Sequence, residues 1–163
     1  MMRNRLWSEL CKAKHNGLYC VKLLAYRKRL VNMFTTVILV CSSAGIMGWK
    51  IWNDFPLFSC IIISTIQILR LIQPQYLPTE RQIDKLDSVV DFYFDYFNKL
   101  EQLWLDFEND RKTELEVQTE FYVLKDSEKP INKIINDIVK RTNKKILAKC
   151  DIEANEYLTA IYN

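Results

Sequence analysis

From Leu30 to Trp49 the chain runs 20 residues without a formal charge. Coiled as a helix, such a stretch rises about 30 Å, which is the thickness of a bilayer's hydrocarbon core. A second uncharged run of 15 residues extends from Phe55 to Leu69, and letting Arg70 snorkel carries it on to Ile72. Only the short polar break KIWND, with Lys50 and Asp54, separates the two. Apolar runs this close together predict a transmembrane hairpin over residues 30–72. The stretch SSAG resembles a signal-cleavage site, but a 29-residue basic region precedes the run and the run is longer than the apolar core of a signal peptide. The expectation is therefore that the segment is retained.

The net charge of +3 hides a segregated chain. Residues 1–29 hold eight basic side chains against one acid, Glu9. Residues 80–120 carry twelve acids against five bases, and residues 121–163 return to eight bases against six acids. Lys22, Arg27, Lys28 and Arg29 precede the first apolar run, and Arg70, Arg81 and Lys85 follow the second. By the positive-inside bias both termini are expected in the cytoplasm. Trp49, Trp52 and Phe55 stand where an interfacial aromatic belt belongs. Interleaved with Leu6, Trp7, Leu10, Leu18, Tyr19, Leu23 and Leu24, the basic residues of segment 1–29 read as an amphipathic helix on the inner leaflet.

Composition removes most chemistry. Three glycines, at 17, 45 and 48, make neither a P-loop nor a dinucleotide fingerprint. Three glycines and four prolines are also too few for the many turns of a β-sandwich. One histidine, His15, gives no His-based metal site and is read as a surface residue. The five cysteines (Cys11, Cys20, Cys41, Cys60 and Cys150) form no CxxC and read as neither disulfides nor ligands. No cofactor and no enzymatic activity is expected.

Beyond Pro74 and Pro78, Thr79 is a candidate N-cap with Gln82 completing a capping box. From Glu80 to Lys129 there is neither Gly nor Pro. Ile83, Leu86, Val90, Tyr93, Phe97, Leu100, Trp104 and Phe107 alternate by three and four, the spacing of an a/d seam. A chain with about 85 residues after the hairpin has little else on which to bury that row, so the seam is assigned to an interface between subunits, with intrachain packing contributing. The phase is lost at NDRKTELE (109–116), predicting a break. A short helix over LEVQTEFYVLKDSE, another capped by Ser127 near Pro130, and a last one capped by Asp151 and carrying Leu158 and Ile161 are expected to follow. The run KRTNKKILAK (140–149) reads as an exposed face, with RNA or anionic lipid as the partners such a run can serve. The fold class expected is thus all-α: a basic N-terminal helix (1–29), a membrane hairpin (30–72) and a cytoplasmic helical domain (79–163).

Within the hairpin, Cys41, Ala44, Gly45 and Gly48 form a small-residue face suited to close helix packing. Cys60, Ser64 and Gln67 fall on one stripe, with Arg70 at its cytoplasmic end, and are assigned to a pore lining. An alternative path would use Asn32, Thr36 and Ser43.

The segments LWSELCKAKH, LLAYRKRLVN and LPTERQIDKLDSVVDFYFDYFNKLEQLW, in this order, resemble the SLATT family of two-transmembrane effectors of bacterial conflict systems. The resemblance spans roughly Leu6 to Leu124. It implies a homo-oligomeric pore in a bacterial inner membrane that depolarises the cell in antiphage defence, answering to a cytoplasmic defence protein or a nucleotide or RNA signal. The alternative is a non-conducting membrane anchor or scaffold that recruits a defence partner. A second resemblance is to the small membrane accessory proteins of type VI CRISPR systems, described as carrying a divergent HEPN nuclease module. A HEPN ribonuclease needs an Arg with four to six residues between it and a His. Ser8, Glu9 and Leu10 occupy those positions ahead of His15, so the dyad is missing.

Overall fold

Met2, Leu6, Leu10, Ala13, Cys20 and Leu24 recur every three, four or seven residues, and all are buried. That spacing places them on one stripe of a helix, with Arg3, Arg5 and Lys12 turned to solvent. The computed structural model describes residues 2–47, 56–139 and 142–162. All the regular structure described is helical: α1 (Met2–Met47), α2 (Pro56–Tyr76), α3 (Glu80–Glu108), α4 (Glu114–Ile138) and α5 (Lys144–Tyr162). The helices divide into two compact units, Met1–Leu24 with Asp84–Asn163, and Ala25–Ile83.

The first unit is a helical bundle whose stripes face one another. Leu86, Val89, Tyr93, Tyr96, Phe97, Leu100, Leu103 and Trp104 of α3 are buried, as are Val117, Phe121 and Ile138 of α4 and Cys150, Ala154 and Leu158 of α5. Pairings between distant residues give the directions. Arg3 binds Glu108, and Tyr96 donates to Glu9 at 3.4 Å, so α1 and α3 run antiparallel. Arg5 donates to Tyr122 and Lys125 pairs with Glu9, so α1 and α4 run parallel. Lys22 pairs with Glu153 and holds α5 to α1.

The helix ends have local causes. Asp110, at φ 53°, takes the left-handed position after α3. Its N–H reaches the Phe107 carbonyl at 3.2 Å while the Arg111 N–H reaches that of Asp106 at 2.9 Å, the two bonds of a Schellman motif. Thr113 caps α4 in a capping box: the Glu116 N–H donates to its Oγ1, and its own N–H donates to Glu116 Oε2 at 2.9 Å. The break expected at 109–116 lies here. At α3, Gln82 Oε1 accepts the Thr79 N–H at 3.2 Å, the back-reaching half of the capping box expected there.

Several expectations are corrected. Among the described residues no helix is long and apolar enough to cross a membrane, which overturns the transmembrane hairpin over residues 30–72. That expectation treated the apolar run as an element of its own, whereas α1 carries the basic and apolar segments in one helix of 46 residues with no boundary at Leu30. The uncharged part of α1 runs from Leu30 to the helix's last described residue, Met47. Polar Thr36, Ser42 and Ser43 interrupt that stretch, each hydroxyl donating to the carbonyl four residues back. In α2, Gln67, Arg70 and Gln73 cut the apolar run short. The turn 50–54, the aromatic belt of Trp49, Trp52 and Phe55, and the small-residue face beyond Cys41 lie outside the described residues or side chains, as does Ile161.

The N-terminal stripe does not lie on a leaflet: Leu6 and Leu10, with no exposed surface, are core residues of the bundle. The two helices expected over 115–139 are one. Pro130 sits inside α4 at an exposed position, where water can serve the carbonyl its missing N–H releases. Ser127 donates to the Leu124 carbonyl instead of capping. Asn143, whose Oδ1 accepts from the Lys145 N–H at 3.1 Å, begins α5, and Asp151 lies in its interior.

Gly17 has no conformational need to be glycine. A Cβ there would meet Tyr93 Cβ at 3.6 Å, an ordinary contact. Gly17→Ala is expected to stabilise the bundle by about 0.5–1 kcal/mol by restricting the unfolded chain, read as a rise in thermal midpoint with unchanged helical circular dichroism.

Candidate functional site

The structure fills the a/d seam from within the chain. Leu86, Tyr93, Phe97, Leu100 and Trp104 are buried, Val90 and Phe107 are half-buried against the core, and Ile83 is half-exposed at the end of the second unit. Trp7 of α1 packs on Trp104 with ring centroids 5.1 Å apart, and Tyr157 of α5 meets Phe97 edge-on at 6.1 Å. These rings face the chain's own helices and offer a second copy little surface. The reading of the seam as a subunit interface missed the stripe on α1, which covers it.

A polar network crosses the same core. Glu9 and Glu128 are buried, at 5% and 7% exposure. Lys125 lies between them, paired with Glu9 and 3.0 Å from Glu128 Oε2. The Tyr96 hydroxyl donates to Glu9, while that of Tyr93 lies 3.3 Å from both Glu128 Oε1 and Asn132 Oδ1. Asn16 Nδ2 reaches Tyr93 Oη at 3.5 Å. Two buried carboxylates thus share one ammonium and two phenols, an arrangement that satisfies each carboxylate without water. Burial, reinforced by the neighbouring carboxylates, pushes both tyrosines well above the usual phenol range. Burial pulls Lys125 down, but hydrogen bonds and charge from Glu9 and Glu128 outweigh it, and its net shift is upward. Sequence reasoning missed this network. One signal was available: Glu9 is the only acid in the first 29 residues and sits next to a core leucine, Leu10.

Beside the network, α1, α3 and α5 of the first unit enclose a half-open cleft of about 360 Å³. Leu18 and Val21 line one wall, Val90, Phe94 and Phe97 another. Lys14 Nζ stands 3.3 Å from the ring centre of Tyr157 and 4.7 Å from that of Phe97, a cation between two rings inclined at 68°. Burial lowers the Lys14 pKa from its ordinary value while the charge of Glu101, on the same cleft, opposes the shift.

Three cysteines lie in the bundle: Cys20 and Cys150 are buried and Cys11 half-buried. Burial pushes Cys20 up to about 12, with Cys150 adding to the effect. Burial likewise raises Cys150 and Cys11. Such groups stay protonated near neutral pH. His15 is not a free surface residue: its side chain is 22% exposed, and Nε2 lies 3.0 Å from Asp151 Oδ1.

The second unit has the opposite surface character. Most of the exposed large hydrophobic side chains lie between Tyr26 and Ile72, Leu57 and Leu71 among them at 74% and 75% exposure. Residues 61–65 of α2 are exposed in succession, and only Ile66, Leu69 and Gln73, on one stripe, are half-buried among residues 60–73. Cys60, Ser64, Gln67 and Arg70 are all exposed on α2, and with no span to carry a pore they are surface positions of that helix. Asn32, Thr36 and Ser43 are likewise exposed on α1.

Compared with protein-family models, with curated proteins and with solved structures, the chain matches none of them.

Proposed function

We propose that the protein is a non-catalytic assembly module, in which the first unit is a folded body and the second associates with further copies of the same chain. The observation that carries this is the uncovered apolar surface of α1 and α2 in residues 25–83. An apolar helix face left in water is unfavourable until something covers it. Each large aliphatic side chain left in water forgoes about 1.5–3 kcal/mol. Several together rival a domain's whole stability margin of about 5–15 kcal/mol. A second copy is the occupant that fits, because the sequence over residues 30–49 and 55–69 carries no charge with which to select a polar partner, and Val37, Leu39 and Val40 of α1 and Ile61, Ile63 and Ile68 of α2 are exposed aliphatic side chains that match their own kind.

Self-association agrees with what the SLATT resemblance implies, and with it a scaffolding role toward a defence partner. One observation favours a lipid surface as a second reading: Lys28, Arg29, Arg70 and Arg81 are exposed around the same apolar faces.

Light scattering on the full chain, with and without anionic phosphatidylglycerol vesicles, tests both. A mass well above the monomer's 19.4 kDa is expected without lipid. Ile61→Asp with Ile68→Asp, seven residues apart on one face, is expected to bring it to the monomer with helix content unchanged. A wild-type monomer that binds vesicles would establish the lipid reading, and a wild-type monomer that ignores them would end both.

A further inference from the structure

The charged groups of the cleft in the first unit are matched within the chain. Lys14 stands over the rings of Tyr157 and Phe97 with the charge of Glu101 acting on it, and Glu101 is itself engaged. Both are half-buried, so water reaches them and neither needs a ligand's charge. The Tyr93 hydroxyl belongs to the buried network with Glu128, Asn132 and Asn16. What the polar lining leaves over is neutral. The Asn98 amide and the Tyr157 hydroxyl take part in no hydrogen bond among the described residues.

The apolar lining is rich in rings and incompletely covered. Ala13 and Phe97 are buried, at 1% and 6% exposure, whereas Val21 and Phe94 of the same cleft are 47% and 68% exposed. Its volume of about 360 Å³ lies at the lower end of ligand pockets, which run from about 300 to 1,000 Å³. Phe94, Phe97 and Tyr157 bring three rings to one place, and Phe97 already meets Tyr157 edge-on at 6.1 Å. An aromatic guest gains such ring contacts in addition to its area of burial. A charged guest gives up water without finding a free partner of opposite sign.

We propose that this cleft binds a neutral aromatic molecule of one or two rings carrying one N–H or O–H. Its ring covers Phe94 and Val21, and its polar hydrogen is donated to the Asn98 carbonyl or the Tyr157 hydroxyl, each of which can accept. The assignment stands apart from the assembly role proposed for residues 25–83, because every lining residue belongs to the first unit.

Equilibrium dialysis of the full-length protein against indole is the direct test. Saturable binding of one molecule per chain is expected. Indole-3-carboxylate is expected to bind at least about tenfold more weakly, because its charge finds no free partner. Val21→Trp, at an exposed position, is expected to weaken indole at least about tenfold by filling the cleft, with the helical circular dichroism unchanged. Asn98→Ala with Tyr157→Phe is expected to weaken indole about three- to tenfold, the effect of one hydrogen bond. The same pair of substitutions should leave the affinity for indene, which lacks the N–H, unchanged. Indole bound undiminished by Val21→Trp, as uptake on the apolar faces of residues 25–83 would be, overturns the assignment. So does equal affinity for indole-3-carboxylate, an equal response of indole and indene to the paired substitution, or no saturable binding of indole.

Discussion

Replacing Trp104 with alanine is expected to lower the unfolding free energy of the bundle by about 3–5 kcal/mol, the range for deleting a buried aromatic ring. Trp104 is 8% exposed, packs on Trp7 at 5.1 Å and carries Arg3 over its ring at 5.7 Å. The loss is therefore one of cavity and ring contacts inside a single chain. Denaturant titration followed by circular dichroism reads the effect, and the size of the drop should not change with protein concentration. A drop that grows on dilution would restore the seam to a subunit interface, because only an association linked to folding responds to concentration.

The second large effect centres on Lys125. Lys125→Met leaves Glu9 and Glu128 buried with no cation between them. Removing one partner of a fully buried pair costs about 3–5 kcal/mol. Lys125 is itself 40% exposed, so solvent screening reduces this to about 2–3 kcal/mol. Adding Glu9→Gln should recover part of the loss by removing the uncompensated charge. The same network sets an alkaline limit. Tyr93, Tyr96 and Lys125 all hold their protons more tightly in the fold than in the unfolded chain. Stability from such upward shifts is fully present below the unfolded values, about 10 for Tyr and about 10.4 for Lys, and is lost as pH rises toward the folded ones. The denaturation midpoint is thus expected to fall steadily above about pH 10, and Tyr96→Phe should flatten that fall. A midpoint that rises with pH there would contradict the network.

Much of the secondary structure was legible because helix periodicity is local. The three-and-four spacing from Leu86 to Trp104 announces its own helix, and the lost phase at 109–116 announces its end. Where local signals competed, they misled. Ser127 and Pro130 look like a helix start, yet α4 runs through them, since a proline at an exposed position disturbs a helix already held by the packing of Val117, Phe121 and Ile138. Asp151 was expected to cap the last helix, and Asn143, eight residues earlier, makes the bonds instead.

The candidate sites were less legible because their members are far apart in sequence. Glu9 and Lys125 are separated by 116 positions, and Tyr96 and Glu9 by 87. Each side chain alone looks like a solvated helix residue, and only the meeting of three helices turns them into a buried network. The cleft has the same origin, since Lys14, Phe97 and Tyr157 come from α1, α3 and α5.

The sequence by itself determined that this chain is helical, where the α3 stripe lies, that its charge is segregated and that long uncharged runs set residues 30–72 apart. Those are properties of composition and of a 3.6-residue repeat, which any short window carries. Only the tertiary structure decided what covers each stripe. It gave the α3 seam to the chain's own N-terminal helix, ran the basic and apolar segments into one α1, and left the faces of residues 25–83 uncovered. An apolar face states that it must be buried; which surface buries it depends on contacts between distant residues, and no local pattern encodes those.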